Sequence, residues 1–354
     1  MPSEAFTAAS ISPAEVNDML KHWDVGLVGE TAPITGGSRT SPKIKLTAER
    51  GTFVLKRRPL YQANIERIQF AHHVMMTAST AGLPIALPQV ARDGTTFQVQ
   101  PDGIYELLLF LNGGRWKRTP QQAFEAGRAL ATLHRGALDM LWKGNVKASC
   151  FHGNLIVVEA LRRVPASIAA VYPDLEQQQL LDVCQHLSHL YQQASEQVDV
   201  FGYEQISSQV VHGDWHPGNI LFDGDRVTGV LDFDSTRLEP AIVDIANGLL
   251  QYSIRAGPSR AIAKWPHQFE QSLFSGFTKG FHSVNSGNFL EFVDMVPGLM
   301  IESCIAEAVI PIARQGMFAT IPGDKMLAMI LRRVSWIQSN TATLVQRLVT
   351  DLKP

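Results

Sequence analysis

Polar and apolar residues alternate along Lys43-Ile-Lys-Leu-Thr47 and again along Thr52-Phe-Val-Leu-Lys-Arg57, with the turn Ala48-Glu-Arg-Gly51 between them. Successive strand side chains point to opposite faces, so the two runs predict a hairpin. Thr35-Gly-Gly-Ser-Arg39 precedes it as a short loop, joining an earlier strand between Leu27 and Ile34. A helix is expected between Gln62 and Ala81, ended by Gly82 and Pro84. Two more strands follow, over Thr95–Gln100 and Ile104–Leu111, split by the turn Pro101-Asp-Gly103.

Beyond Asn112-Gly-Gly114, a linker by its composition, the pattern becomes helical. Residues from Gln121 to Leu138 recur at helical spacing, and Leu180, Cys184, Leu187 and Tyr191 form an apolar stripe on a later helix. Between 210 and 234 the helices give way to short apolar runs, Val210-Val211, Ile220-Leu-Phe222 and Val227–Phe233, with Asp223-Gly-Asp225 as a turn. From Ala241 onward the chain is helical again, with breaks at Gly257-Pro258, Ser286-Gly-Asn288 and Ile321-Pro-Gly323. The expected fold class is α+β: a small antiparallel β-rich lobe over residues 1–111 and a mainly helical lobe over 112–354.

The polar residues of the 210–234 stretch collect at strand ends and in the loop His212–Asn219, where a rigid scaffold presents chemical groups. Asp214 is the candidate base, a carboxylate that orients a hydroxyl and accepts its proton. Asn219 and Asp232 offer the neutral and charged oxygens that Mg²⁺ prefers. Any one of them alone would be read as an Asx-turn or a cap. Three at this spacing, bracketed by strands, point to phosphoryl transfer from a magnesium nucleotide. His212 and His216 have the i, i+4 spacing of a zinc pair, but Gly213, Pro217 and Gly218 oppose the helix such a pair needs.

His212-Gly-Asp214, Asn219 and Asp232-Phe-Asp234 resemble the protein-kinase-like superfamily, and within it the aminoglycoside phosphotransferase type of small-molecule kinase. The step from Asp214 to Asn219 matches the kinase catalytic loop His-Arg-Asp-Leu-x-x-x-Asn. Gly213 in place of Arg, and Asp234 in place of the Gly of the metal motif, favour the small-molecule branch. The texture also resembles homoserine kinase type II and the bacterial stress-response kinases. The resemblance implies a bilobal fold, ATP as co-substrate, Mg²⁺ as cofactor and a small-molecule hydroxyl (amino alcohol, amino acid or aminosugar) as acceptor. It assigns Asp214 and Asp232 to catalysis, and Asn219 and Asp232 to metal. A Ser/Thr protein kinase of the stress-response type, or a relative that binds nucleotide without turnover, is the alternative; no activation loop ending in Ala-Pro-Glu is visible.

The same resemblance calls for a strand lysine, which Phe53-Val-Leu-Lys56 supplies, to meet the α/β-phosphates. Glu66 is the only acidic residue between Glu49 and Asp93, and so is the candidate partner of Lys56, with Gln69 as a polar substitute. Gly37 and Ser38 would cradle phosphate. Backbone groups of Leu109 and Leu111 would meet adenine. His216, Trp215 and Asp234 are open between a role at the site and a structural one, and Asp244 is expected to brace the loop. Glu291, Asp294, Glu302 and Glu307 are candidates for recognising a cationic acceptor.

The rest of the composition narrows the partners. The 354 residues suffice for two lobes, and a formal charge of −2 gives no reason to expect nucleic acid. Cys150, Cys184 and Cys304 are odd in number and scattered, which suits a reducing compartment. No signal peptide is evident, and Glu302 and Glu307 interrupt the apolar run from Val296 to Ala313. No membrane span is therefore expected. A cytoplasmic protein is.

Overall fold

The computed structural model describes residues 10–34, 41–62, 64–144, 146, 151–254, 259–284 and 288–353. Helix α1 (Pro13–Met19) opens the described chain, closed at its start by a capping box in which Ser12 Oγ accepts from Glu15 N–H and Glu15 accepts from Ser12 N–H. Strands β1 (Val28–Pro33), β2 (Lys43–Ala48) and β3 (Gly51–Arg58) follow, then helix α2 (Ile65–Ser79), β4 (Gln98–Gln100) and β5 (Gly103–Leu109). They build one antiparallel sheet in the order β1-β2-β3-β5-β4.

Period two divides this sheet as its sequence predicts. Phe53, Leu55, Tyr105 and Leu107 share one face and are buried against Val16, Met19 and Trp23. Lys56 and Glu106 are cross-strand partners in register and share the other face. α1 carried no strong periodic signal, yet its short apolar stripe covers the core of this lobe.

The remainder is mostly helical. In chain order it comprises α3 (Pro120–Gly136), α4 (Leu155–Val171), α5 (Gln177–Val200), β6 (Gln209–Val211), β7 (Ile220–Asp223), β8 (Arg226–Val230), β9 (Arg237–Glu239) and α6 (Ile242–Tyr252). There follow α7 (Gln271–His282), α8 (Val296–Gln315), β10 (Met317–Phe318), β11 (Ile321–Pro322), α9 (Gly323–Ser339) and α10 (Thr341–Leu352). α4 is an addition to the sequence reading. It carries Pro165 inside, and Leu155 and Ile156 are exposed at its start, which blurs the helical signature. The expected breaks at Gly257-Pro258 and Ser286-Gly287 lie outside the described residues.

The segment Phe289–Gln315 is long and apolar enough, by length and composition, to cross a membrane, but 83% of its apolar window is buried inside the fold. Its composition is accounted for by packing, with α8 as the central strut among α4, α5, α6 and α9.

Two backbone ties hold the segment after α2 and the linker beyond β5 against the β7–β8 hairpin. Gly114 and Phe222 exchange backbone hydrogen bonds at 2.7 and 3.0 Å, and Val230 N–H donates to Pro84 O at 2.8 Å. Below them α3 and α7 pack backbone to backbone. A Cβ on Gly127 would strike Phe277 O, and one on Gly280 would strike Phe124 O. Gly280→Ala should therefore lower unfolding free energy by about 1–3 kcal/mol in urea titration, since the obstructing atom is main chain and cannot rotate away. Gly29→Ala, whose Cβ would meet nothing nearer than Thr47 O at 3.8 Å, should stay within about 0.5 kcal/mol of the parent.

Candidate functional site

The loop His212–Asn219 leaves the end of β6 and enters β7, and one buried carboxylate fixes its start. Asp244, in the first turn of α6, accepts from His212 N–H at 2.6 Å, Gly213 N–H at 2.8 Å and His134 Nε2–H at 3.0 Å. Burial opposes its charge, but these donors hold its carboxyl below the ordinary range. Gly213 sits at φ 77°, and a Cβ there would collide with Arg237 and Ser235 O. Arg237, supplied from β9, fills that space; it donates to Gly213 O at 3.3 Å and pairs with Glu239 at 2.6 Å. Gly213 thus leaves room for a guanidinium brought from elsewhere in the chain.

His212 is wholly buried and its pKa is lowered, chiefly by burial. Its Nε2–H donates to Leu231 O at 3.1 Å and its Nδ1 accepts from Asp214 N–H at 3.3 Å, the pattern of a neutral bracing histidine. Trp215 is also fully buried, edge-on to His212, so it is a core residue and not a wall for substrate.

Asp214 itself is half-buried. Burial raises its pKa, yet the hydrogen bond and charge of His216, with the Asn219 amide, outweigh burial and hold it low. His216 Nδ1 accepts from Gly218 N–H at 3.0 Å, which leaves its Nε2–H to face Asp214 Oδ2 at 3.5 Å. Burial lowers the His216 pKa, but Asp214 raises it by more. The carboxylate is therefore ionised and oriented before any substrate arrives.

Asn219 donates its amide to Asp214 O and to Asp214 Oδ2, each at 3.0 Å. Both bonds use the nitrogen, so the side-chain oxygen is turned elsewhere. Leu231 N–H donates to Asn219 O at 2.8 Å, which brings the next residue, Asp232, alongside. Asp232 is held at φ 61°, ψ 70°, left-handed geometry that a non-glycine residue adopts at a cost of about 1–3 kcal/mol. Its exposed carboxylate projects from that bend while buried Phe233 anchors the turn. An amide oxygen beside a carboxylate is a hard, partial donor set. It fits Mg²⁺ that takes its remaining ligands from nucleotide phosphates and water. Among the described residues no group of three or more His, Cys, Asp or Glu could hold a metal by itself.

Across the cleft, Lys56 is buried and its Nζ lies 2.8 Å from Asp234 Oδ2. This corrects the expectation for its partner. Glu66 lies against Trp142 and Gly144, where a Cβ on Gly144 would strike its carboxylate, and Gln69 is exposed. The counter-charge comes instead from Asp234 and from Glu106, opposite Lys56 on β5. Burial works against the charge of Glu106, but Arg58, Lys56 and the 2.7 Å bond from His72 hold its carboxyl well below the usual range. Arg58 also donates to Asp234, at 2.6 Å through Nη1, and Asp234 is held down to about 2 by Lys56 and Arg58 against burial.

Lys43, in register with Lys56 on β2, faces the same space, near Asp232 and Asp234. Burial and then repulsion from Lys56 lower its pKa. Lys43, Arg58 and Glu106 were missed in the sequence, where they read as ordinary strand residues. Their only signal was period two, which places Lys56 and Arg58 on one face.

Gly37 and Ser38 lie outside the described residues. Leu109 N–H is committed to Leu87 O at 2.9 Å, so only its carbonyl is left to meet a base. Leu111 packs with Leu221 over Gly229 of β8 at the cleft floor.

The acidic residues expected to recognise an acceptor separate into three fates. Glu291 and Asp294 are exposed on the surface. Glu302 is fully buried and accepts from Gly153 N–H at 2.9 Å and from His152 at 2.8 Å, so it is structural. Glu307 alone of the four lines a cavity. It accepts from Gln251 Nε2 at 2.6 Å and lines a cavity of about 160 Å³ with Gln251, Trp265, Cys304, Met329 and Arg333 among others. The residue is exposed at the cavity wall. Desolvation, followed by the charge of Asp214, raises its pKa to about 7.

Known proteins resemble this chain in sequence and in fold. The family model described as the phosphotransferase enzyme family, APH, matches residues 30–276. A homoserine kinase of Rhodopseudomonas palustris (strain BisB5) is 26% identical over 241 residues, 67% of each chain. Among solved structures, the amicoumacin kinase hAmiN in complex with AMP-PNP, Ca²⁺ and Ami superposes with a TM-score of 0.65 at 14% identity, covering 93% of this chain and 94% of that one. An aminoglycoside phosphotransferase from Alicyclobacillus acidocaldarius gives 0.64 at 14% identity, covering 98% and 99%. With the family model matched over most of its length, the chain belongs to the phosphotransferase enzyme family and is an ATP-dependent kinase of small-molecule hydroxyls.

Proposed function

We propose that Asp214 is the base of this kinase and that Asn219 and Asp232 are its Mg²⁺ ligands. The observation that carries the reading is the bond network through Asn219. Its amide nitrogen is spent on Asp214 and its backbone oxygen on Leu231, so base and metal acid are fixed about one residue. Bound there, Mg²⁺ would neutralise charge on the β- and γ-phosphates.

The chain's own groups do the rest. Lys56 is stationed for the phosphates and exchanges its contact with Asp234 for them, while Glu106 and Arg58 keep the pocket charge-balanced. Lys43 adds a second cation on the same wall. The crossover from Leu109 to Leu111 receives the base of the nucleotide, and the lobe boundary falls after Leu111. Asp214 orients the acceptor hydroxyl and takes its proton, and His216, bonded to Asp214, holds the carboxylate in position. The acceptor side is a walled cavity, not an open shelf, which suits a small molecule over a protein chain. The buried thiols Cys184 and Cys304 fit a reducing, cytoplasmic setting.

Asp214→Asn should keep ATP binding and lose at least about two orders of magnitude in kcat, read by coupled ADP release. Near-parental turnover would remove Asp214 from the base role. Asp232→Asn should raise the magnesium concentration needed for half-maximal rate by about tenfold or more, and an unchanged magnesium titration would count against it.

Glu307 yields a prediction about stability. Its folded pKa, about 7, lies above the ordinary 4.5, so the folded chain holds this proton more tightly than the unfolded chain. The contribution is present below pH 4.5 and is lost as pH rises towards 7. Glu307→Gln should accordingly raise Tm relative to the parent at pH 8 and leave it unchanged at pH 4, measured by calorimetry at both values. Equal shifts at the two pH values would disprove the raised pKa.

A further inference from the structure

The acceptor cavity contains a charge that the phosphotransfer machinery does not use. Arg333, on α9, lines it together with Glu307 and Gln251, and the remaining wall is apolar: Leu250, Ile254, Trp265, Phe318, Met326, Met329 and Ile330. Nε and Nη2 of Arg333 are both buried, and neither has a hydrogen-bond partner. Among the described residues no carboxylate lies within ion-pair distance of it. Its near polar neighbour is the thiol of Cys304, which burial pushes up to about 11 and so keeps neutral. A neutral thiol is a weak acceptor and no counter-ion.

A buried guanidinium without an anion is costly, and a stability role does not explain it. Arginine as a structural element would have been paired, as Arg237 is by Glu239 and Arg58 by Glu106 in this same chain. The planar fork of a guanidinium matches a carboxylate through two parallel hydrogen bonds, and the match is strongest where water is excluded. Glu307 stands in the same cavity, close enough to Asp214 to feel its charge. The cavity is thus lined both by the unpaired arginine and by a carboxylate that interacts with the charge of Asp214.

We infer that Arg333 binds a carboxylate on the acceptor, so that the molecule phosphorylated by this kinase is a compact hydroxy acid or hydroxylated amino acid whose hydroxyl lies at Asp214. The inference rests on the phosphoryl-transfer reading of Asp214 for the placement of the hydroxyl, and on Arg333 alone for the anion. A phosphate-bearing acceptor is disfavoured by the same geometry, because one fork and an otherwise apolar wall would leave most phosphate oxygens without donors. An amino group on the acceptor has Glu307 and Gln251 available to it. Aminosugars without an acid leave Arg333 unanswered.

The test uses the full chain with Mg·ATP and matched pairs that differ in the carboxylate: L-homoserine against homoserinol, and γ-hydroxybutyrate against butanediol. ADP release gives KM and kcat, and titration calorimetry gives Kd without chemistry. The parent should prefer the acid in at least one pair by about tenfold or more in KM and Kd, since a site built for a polar group discriminates strongly against the analogue lacking it. Arg333→Met should erase that preference by weakening the acid and leave the alcohol within about threefold. Arg333→Lys, which keeps the charge but loses the fork, should restore part of it.

No acid preference in either pair with the parent overturns the inference, and so does an Arg333→Met variant that depresses acid and alcohol equally. The parent's own preference needs no variant to fold. Acid-selective binding without ADP release from any acceptor would sink the phosphoryl-transfer reading and leave the anion site standing. Indifferent turnover of acids and alcohols would do the reverse.

Discussion

The site depends first on a buried carboxylate that performs no chemistry. Asp244 gathers two consecutive backbone N–H groups of the catalytic loop and the ring of His134 inside a fully buried pocket. A turn with Gly213 in left-handed geometry leaves those amides pointing inward, where they need an acceptor. Satisfying them from the first turn of α6 couples the loop to the helical core, so the position of Asp214 follows from helix packing and not from the loop's own preferences. Arg237 completes the arrangement by filling the space that the absent Gly213 side chain leaves.

Charge is distributed around the cleft in three separate compartments. The sheet side holds a balanced set, with Lys56 and Arg58 against Asp234 and Glu106, each acid held well below its ordinary range. The loop holds Asp214 and His216, which shift each other in opposite directions. The acceptor side is unbalanced: Glu307 tends to keep its proton and Arg333 has no counter-anion. Groups left unpaired mark where the protein expects a ligand to complete the electrostatics.

How much of this was readable in the sequence depended on distance along the chain. The hairpin of β2 and β3 was legible because alternation and a short turn are local properties. The stripe of Leu180, Cys184, Leu187 and Tyr191 is buried on α5 for the same reason. α4 was not legible, since Pro165 and an exposed apolar start disguise its periodicity. Glu66 was the only acid close after Lys56 in sequence, whereas Glu106 reaches Lys56 across a strand pair whose register no local pattern reveals. Glu302 and Glu307 lie on one helix five residues apart, and packing turned one to His152 and left the other at the wall of a cavity.

The sequence by itself determined that the proposed base and the proposed metal donors come together, because Asp214 and Asn219 share one loop and a single hairpin returns Asp232 to it. It also determined the strand and the face that carry Lys56, because side-chain alternation is a geometric property of extended chain. Only the tertiary structure decided which anion answers Lys56: Asp234 is 178 residues away, and its approach depends on how the sheet rests on the β7–β8 hairpin. The same holds for the proposed acceptor cavity, lined chiefly by α6, α8 and α9, whose unpaired arginine is conspicuous only once those helices have closed around it. Short-range chemistry is written in residue spacing, but desolvation and long-range charge pairing arise only when distant segments exclude water together.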